Sequence, residues 1–362
     1  MSGEPTPPPR RPGTASGPSP APPETVASGG MTTETISSTP PPAGRPRRRR
    51  WITVLIWIML VPFAAWAVLR TTGWDAGFRW IQLAAFTPYV AAASVVALLL
   101  ALSLRRWTAG VAGLVVMGAF AWAVLPRAFA DPAPAPGGTA LRVLASNLAR
   151  GGADTKTIMD LVVRLKPDIL TLQELTPEAA GRLEAAGIRK ALPHMVGEPT
   201  PGVWGSGIYA RFPLRADQAA IDYGNFRQSV AVAPEQNLQI VSVHPCAPRF
   251  DYKAACWAQG LRALPKAGAG PYRILAGDFN ATLDHAIMRD LLATGYRDAA
   301  DVTGRGLIPT WPQQGWEPVP GVTLDHVFAD ARLAIRSFGV HRVPGTDHKA
   351  VFAELEIPGT AR

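Results

Sequence analysis

An α/β domain behind three membrane-spanning helices is the fold class that this 362-residue sequence predicts. Three observations carry the prediction. From about residue 139, apolar runs of strand length alternate with segments of helical periodicity. Upstream, three uncharged apolar runs follow one another between residues 51 and 126. Finally, one expected strand after another ends in a carboxylate, a carboxamide or a histidine, as in α/β proteins whose sites form where strand ends converge.

Residues 1–50 are rich in Pro, Ser, Thr and Gly and hold few large apolar side chains. Such a segment buries too little surface to offset its chain entropy, so a disordered tail is expected. Its Arg45 and the arginines at 47–50 lead into the first apolar run, 51–69. A short polar loop, 70–80, separates it from the second, 81–104, which ends at Arg105-Arg106. The third run, 108–125, carries Gly110, Gly113 and Gly118, small residues that let helices approach closely. Each run is long enough to cross a bilayer, and Trp51, Trp80, Trp107 and Trp122 sit near run ends, where interfacial aromatics belong. The arginines place the tail and Arg105-Arg106 in the cytoplasm, and everything after residue 125 outside. The expected location is therefore a multi-pass cell-membrane protein with an extracytoplasmic C-terminal domain.

Ala128-Phe129-Ala130 has the small-x-small form of a cleavage site, and cleavage there would release that domain. Residues 131–138, with alternating Pro and Ala, read as a semi-rigid linker within a connecting segment 127–138. The C-terminal domain spans 139–362. The net charge of +9 invites a nucleic-acid reading, but from residue 139 onward 24 Lys and Arg face 22 Asp and Glu. The basicity belongs to the tail and helix flanks, and composition alone shows no single-sign stripe for a long polyanion.

Within the domain, strands are expected at 141–146, 168–172, 207–210, 229–233 and 238–243. The run 274–280 is the sixth, and 323–328, 335–340 and 350–357 complete the set. Helices are expected at 155–165 (stopped by Pro167), 177–186 (closed by Gly187), 252–264 and about 284–293. No internal repeat is present. The run Ile274 to Asn280 is the most informative: an apolar strand ends in Gly277-Asp278-Phe279-Asn280. On a strand, Asp278 and Asn280 share one face while Phe279 points into the core.

Asn147, Glu174, His244, Asp325-His326 and Asp347-His348 stand at the other strand ends. Each has a structural alternative. Asn147 suits a turn, Glu174 the cap of the helix at 177, His244 an exposed loop, and Asp347 the turn after Gly345. Their joint occurrence points to one shared site. Carboxylates and carboxamides in that number suit a hard cation such as Mg²⁺ or Mn²⁺; no His/Cys set at zinc spacing occurs.

Eight short motifs follow one another: Ser-Asn at 146–147, Leu-Gln-Glu at 172–174, Gly-Ser-Gly-Ile at 205–208 and Val-His at 243–244, then Gly-Asp-Phe-Asn at 277–280, Pro-Thr-Trp at 309–311, Leu-Asp-His-Val at 324–327 and Thr-Asp-His at 346–348. In that order, residues 141–357 resemble the endonuclease/exonuclease/phosphatase superfamily, the deoxyribonuclease-I-like fold. The resemblance implies a four-layer α/β/β/α sandwich with the site at one rim, and metal-dependent phosphoester hydrolysis. It implies Glu174 as principal metal ligand, with Asn147 and Asp347 close by. Asp278 would orient or deprotonate the attacking water, and Asn280 would hold that water and a phosphate oxygen. His244 and His348 would donate to the phosphoryl oxygens, Asp325 would fix the His348 tautomer, and His326 would shape the rim. Two departures stand out: the segment 210–230, with Arg211, Arg215, Asp222, Tyr223, Asn225 and Arg227, carries no assignable motif, and Arg-rich duplex-binding loops are not evident.

Cys246 and Cys256 are the only cysteines. Outside the membrane they suit a disulfide tying the loop after His244 to the next helix; two buried thiols are the alternative. Extracellular nucleic acid is the substrate that the resemblance favours, so a nuclease is expected first. A phosphodiesterase or phosphatase acting on lipid headgroups or small phosphoesters is the alternative, and a catalytically silent anchored binding module a third reading. The lipid bilayer is an expected partner; no obligate protein partner is evident.

Overall fold

The computed structural model describes residues 47–133, 137–217 and 228–359. Most of the expected disordered tail, and Asp222, Tyr223, Asn225 and Arg227, lie outside the described residues. The apolar segment forms helices α1 (Arg47–Thr72), α2 (Phe78–Ala84), α3 (Thr87–Ser103) and α4 (Trp107–Val124). Two helical stretches, Arg50–Thr72 and Trp107–Ala128, are long and apolar enough to cross a membrane. The second expected span differs from expectation. It breaks into α2 and α3, bent by 73°. Pro88, in the first turn of α3, explains the break, because proline donates no N–H and its ring clashes with the preceding turn. Thr87 seals the elbow: its hydroxyl donates to the Ala84 carbonyl at 2.7 Å and accepts the Trp66 indole at 3.0 Å. Gly110 and Gly113 do set the close approach of α4 to α3. A Cβ on Gly110 would lie 2.8 Å from Leu102 and one on Gly113 3.2 Å from Leu98, whereas Gly118 faces nothing within 4 Å.

The remaining residues build two six-stranded sheets. The first has the order β11-β12-β1-β2-β4-β3, the second β5-β6-β7-β8-β10-β9. The strands are β1 (Gly138–Asn147), β2 (Ile169–Gln173), β3 (His194–Glu198), β4 (Ser206–Ala210), β5 (Arg215–Ala216) and β6 (Ser229–Ala233). They continue with β7 (Leu238–Val243), β8 (Tyr272–Asp278), β9 (Tyr296–Asp298), β10 (Asp325–Asp330), β11 (Ala334–His341) and β12 (Ala350–Pro358). Helices α5 (Thr155–Leu165), α6 (Pro177–Ala185) and α7 (Ile188–Ala191) join the first sheet, α8 (Asp251–Arg262) and α9 (Ala286–Ala293) the second, and α10 (Ala299–Val302) follows β9.

Strand alternation divides the core into three layers. Leu141, Val143 and Ala145 of β1 meet Ile240, Ile274, Ala276 and Val327 between the sheets. Leu144, Leu170 and Leu172 face α5 and α6 on one outside, and Val241, Val243 and Leu275 face α8 and α9 on the other. Helix, sheet, sheet, helix is the four-layer sandwich expected. The short β3, β5, β9, α7 and α10 have no counterpart in the sequence expectation.

Residues 125–133 depart from the picture of a free linker. Arg127 is buried, Ala130 forms a β-bridge with Thr303, and the Asp131 amide donates to the Val302 carbonyl at 2.8 Å. The small-x-small segment at 128–130 is thus held in a β-bridge against the domain. Cys246 and Cys256 form a disulfide, their Cα atoms 5.8 Å apart.

Candidate active site

Following each inter-sheet row of side chains to its end gives the site. On β1 the row Leu141, Val143, Ala145 continues to Asn147; on β8, Ile274 and Ala276 continue to Asp278. β1 runs parallel to β2, and β7 to β8, so Glu174 and His244 follow at the same rim. β10 is antiparallel to β8 and opens with Asp325 paired to Asp278. Four strand ends and one strand start thus deliver polar groups where the inter-sheet core stops.

Close backbone approach makes this convergence possible. A Cβ on Gly277 would lie 2.4 Å from the Val243 carbonyl, and one on Gly205 1.9 Å from the Leu175 carbonyl. Only glycine fits either place. Glu174 itself has a φ of 54°, a left-handed turn that takes its side chain out of the β2 row.

The side chains meet as follows. Asn147 Nδ2 donates to Asp278 Oδ2 at 3.0 Å and lies 3.5 Å from Glu174 Oε1. The Arg150 amide donates to Glu174 Oε2 at 2.7 Å. His244 Nε2 sits 3.6 Å from Glu174 Oε1 and 3.7 Å from Asp278 Oδ2, and His348 Nε2 sits 3.6 Å from the same Asp278 oxygen. His348 Nδ1 lies 3.0 and 3.2 Å from the two Asp325 oxygens. Asp347 Oδ2 accepts from two indoles, Trp311 at 3.0 Å and Trp316 at 2.8 Å.

Two expectations need correction. Asn280 does not share a strand face with Asp278, because β8 ends at Asp278 and Asn280 turns left-handed with a φ of 49°. Its amide N–H donates to Asp278 Oδ1 at 2.8 Å and its Nδ2 donates to the Pro245 carbonyl at 3.1 Å. Phe279 does enter the core, its ring 4.8 Å from Phe328. His326 is no rim residue: it is buried beneath the site, with Nδ1 3.1 Å from Asp298 Oδ2.

Several groups that set the geometry have roles that the sequence does not assign, although Thr310 and Thr346 lie within the motifs at 309–311 and 346–348. The Thr310 hydroxyl accepts the Asp325 amide at 3.0 Å, Thr346 donates to the Asn147 carbonyl at 3.0 Å, and Gln228 accepts the His244 amide at 2.9 Å. Trp316, one of the two supports of Asp347, lies in a Pro/Gly-rich loop that reads only as irregular.

Burial governs the electrostatics. It pushes the Glu174 and Asp278 carboxyls above their ordinary values; Asp325 adds to the rise at Asp278, while His348 and His244 oppose it. It also pushes His244 down, against the pull of Asp278. Burial acts the same way on His348, but Asp325 and Asp278 outweigh it and raise that imidazole to about 10. Asp347 stays low despite burial, because His348 and the two indoles favour its charged form.

Below the rim, burial opposes and Asp298 supports a proton on His326, and the outcome is a raised value. A raised histidine stabilises the fold fully below its unfolded value, near 6.5, and loses that contribution as pH climbs through the folded value. The melting temperature is therefore expected to fall from pH 6.5 upward, and an Asp298→Asn chain to show a flatter profile. Parallel slopes in the two chains, followed by calorimetry, would contradict this.

Glu174 is the donor whose setting fits a hard divalent cation; the Asn147 Oδ1 beside it accepts the Ala149 amide at 2.9 Å, and its Nδ2 faces the carboxylates. Glu174 is a half-buried carboxylate whose charge its surroundings disfavour, and the neighbours of its Oε1 stand at or beyond hydrogen-bond range. A second group, Asp278, Asp325 and His348, has ligand atoms within 4.8 Å of one another, but Asp325 and His348 already bond each other there.

The family model described as "Endonuclease/Exonuclease/phosphatase family" matches residues 141–348. Among solved structures, humanized D. rerio TDP2 is 15% identical, with 60% of this chain and 99% of that chain covered at a TM-score of 0.46. The endonuclease/exonuclease/phosphatase from Beutenbergia cavernae is 18% identical, covering 61% and 72% at 0.46. An AP endonuclease from Archaeoglobus fulgidus is 16% identical, covering 59% and 98% at 0.47. No curated protein sequence matches significantly. The match spans every strand end that builds the site, and the chain belongs to the endonuclease/exonuclease/phosphatase family of phosphoester hydrolases.

Proposed function

We propose that this chain is a membrane-anchored, divalent-metal-dependent hydrolase that cleaves phosphodiester bonds on the extracytoplasmic side. The observation that carries the reading is the convergence of Glu174, Asp278, His244 and His348 within 3.6–3.7 Å contacts at one rim. Glu174, Asn147 and Asp347 would hold Mg²⁺ or Mn²⁺, which when bound supplies positive charge against the phosphoryl oxygens.

The chain's own residues do the rest. Asp278, fixed through Oδ1 by the Asn280 amide, receives the proton of the attacking water through Oδ2. Asn280 positions that water beside the Pro245 carbonyl it already binds. His348, oriented by Asp325, donates to a phosphoryl oxygen as its charge grows, and His244 donates to another. The released oxygen leaves with a proton. Spans at 50–72 and 107–128, with the bent α2–α3 pair as a third crossing between them, would keep the domain at the membrane and, from a cytoplasmic arginine-rich start, carry it outside.

The full chain, purified in detergent with Mg²⁺, is expected to hydrolyse bis(4-nitrophenyl) phosphate and to lose that activity on chelation, with recovery on adding Mg²⁺ or Mn²⁺. Turnover that is indifferent to chelator would refute metal dependence; no turnover of any phosphoester would refute the reading.

A further inference from the structure

We infer that the mouth of this site lies at the lipid–water boundary and takes its phosphodiester from the bilayer surface, as a phospholipid headgroup. The inference rests on the hydrolase reading and names its substrate. The warrant is a continuous set of contacts from the membrane helices to Asp347.

It begins at the α2–α3 elbow. Gln82 of α2 donates to the Pro248 and Arg249 carbonyls at 2.9 and 3.3 Å. Tyr89, in the first turn of α3, donates to the Gly321 carbonyl at 2.7 Å. Both acceptors belong to loops that shape the site. Loop 245–250 follows His244, and its Pro245 carbonyl holds Asn280. Loop 311–322 carries Trp311 and Trp316, the two indoles on Asp347. The loops clasp each other where the Arg249 guanidinium lies over the Trp316 ring, 5.2 Å from its centroid. One helical elbow therefore braces both walls of the mouth.

Depth follows from dimensions. The hydrocarbon core is about 30 Å thick and the whole bilayer about 40–45 Å, which leaves about 5–8 Å of headgroup layer on each side. A loop bonded to the first turn of a helix that enters the membrane lies within that layer, where the lipid phosphates are. Side chains on the rim agree. Phe250 is 54% exposed and Tyr252 74%, and their rings stack 5.7 Å apart and nearly parallel. Val319 and Trp316, on the facing loop, are also exposed. Aromatic rings in such a position suit a headgroup interface better than bulk water. A nucleic acid would have to enter between these rings and the membrane, toward a domain of nearly balanced charge.

The reaction balances as a hydrolysis: hydroxyl adds to phosphorus, one P–O ester bond breaks, and the departing oxygen takes the proton, giving an alcohol and a phosphomonoester. The test uses the full chain in nanodiscs of phosphatidylglycerol and phosphatidylcholine with Mg²⁺, reading both possible alcohol products. Bis(4-nitrophenyl) phosphate and plasmid DNA are assayed in parallel. Lipid turnover is expected. Phe250→Ser with Tyr252→Ser is expected to lower it about tenfold or more while turnover of the soluble diester stays the same, since only membrane seating loses apolar area. Hydrolysis of the soluble diester or DNA with lipid untouched would overturn the inference and leave the hydrolase reading standing. Equal loss on lipid and soluble diester would overturn it as well. Absence of turnover on all three would remove both.

Discussion

Replacing Asp278 with Asn is expected to lower kcat/KM by about a thousandfold without lowering the melting temperature. The activity loss follows from the proton: a carboxamide cannot accept one from the attacking water. The new NH₂ group would also face Asn147 Nδ2, which now donates to Asp278 Oδ2 at 3.0 Å, so the two donors would repel. Stability moves the other way. Asp278 is buried, and burial together with Asp325 disfavours its charge, so a neutral isostere removes a desolvation cost. One acceptor remains for the Asn280 amide. Activity assays with a soluble diester and thermal unfolding of the same preparation check both halves. Retention of more than about a tenth of the parent kcat/KM would exclude Asp278 as the proton acceptor. A fall in melting temperature would instead show that its charge holds the rim together.

The fate of individual residues shows which parts of this molecule local sequence encodes. Asp278 was legible because the alternation Ile274, Ala276, Asp278 is a one-dimensional pattern: two buried positions and then a carboxylate on the same face. Asn147 at the end of Leu141, Val143 and Ala145 follows the same logic. Asn280 was misread because its face depends on where β8 stops, and a left-handed residue after a strand has no periodic signature. Pro88 did mark the elbow, but the mean apolarity of residues 81–104 masked it. Trp316 remained hidden for a different reason. Its role depends on a partner 31 residues away, brought close by a loop rather than by a repeat. Asp284 is the extreme case, since its partners are 157 and 214 residues upstream.

Asp284→Ala is expected to destabilise the joined structure by about 3–5 kcal/mol, because it would strand two arginines at a buried site. Arg127 grips Asp284 with both terminal nitrogens, at 2.8 and 2.7 Å, and Arg70, at the end of α1, adds a contact at 3.3 Å. All three side chains are at most 11% exposed. The neighbourhood magnifies the effect. Asp75 caps the start of α9 through the Ile287 amide at 2.8 Å, and His285 Nε2 lies 2.7 Å from the Ile81 carbonyl. Releasing Asp284 therefore loosens the same seam that positions the α2–α3 elbow under the mouth. Thermal unfolding in nanodiscs measures the loss, and limited proteolysis between residues 125 and 133 reports the opening. A chain carrying Asp284→Leu with Arg127→Met is expected to recover most of the stability, since buried ion pairs are replaceable by apolar groups of similar volume. A shift below about 1 kcal/mol in Asp284→Ala would mean that packing around Ile81 and Ala286, not the carboxylate, fixes the domain to its helices. Recovery of stability without recovery of turnover on bilayer lipid would separate the two duties of the seam, holding the domain and aiming its site.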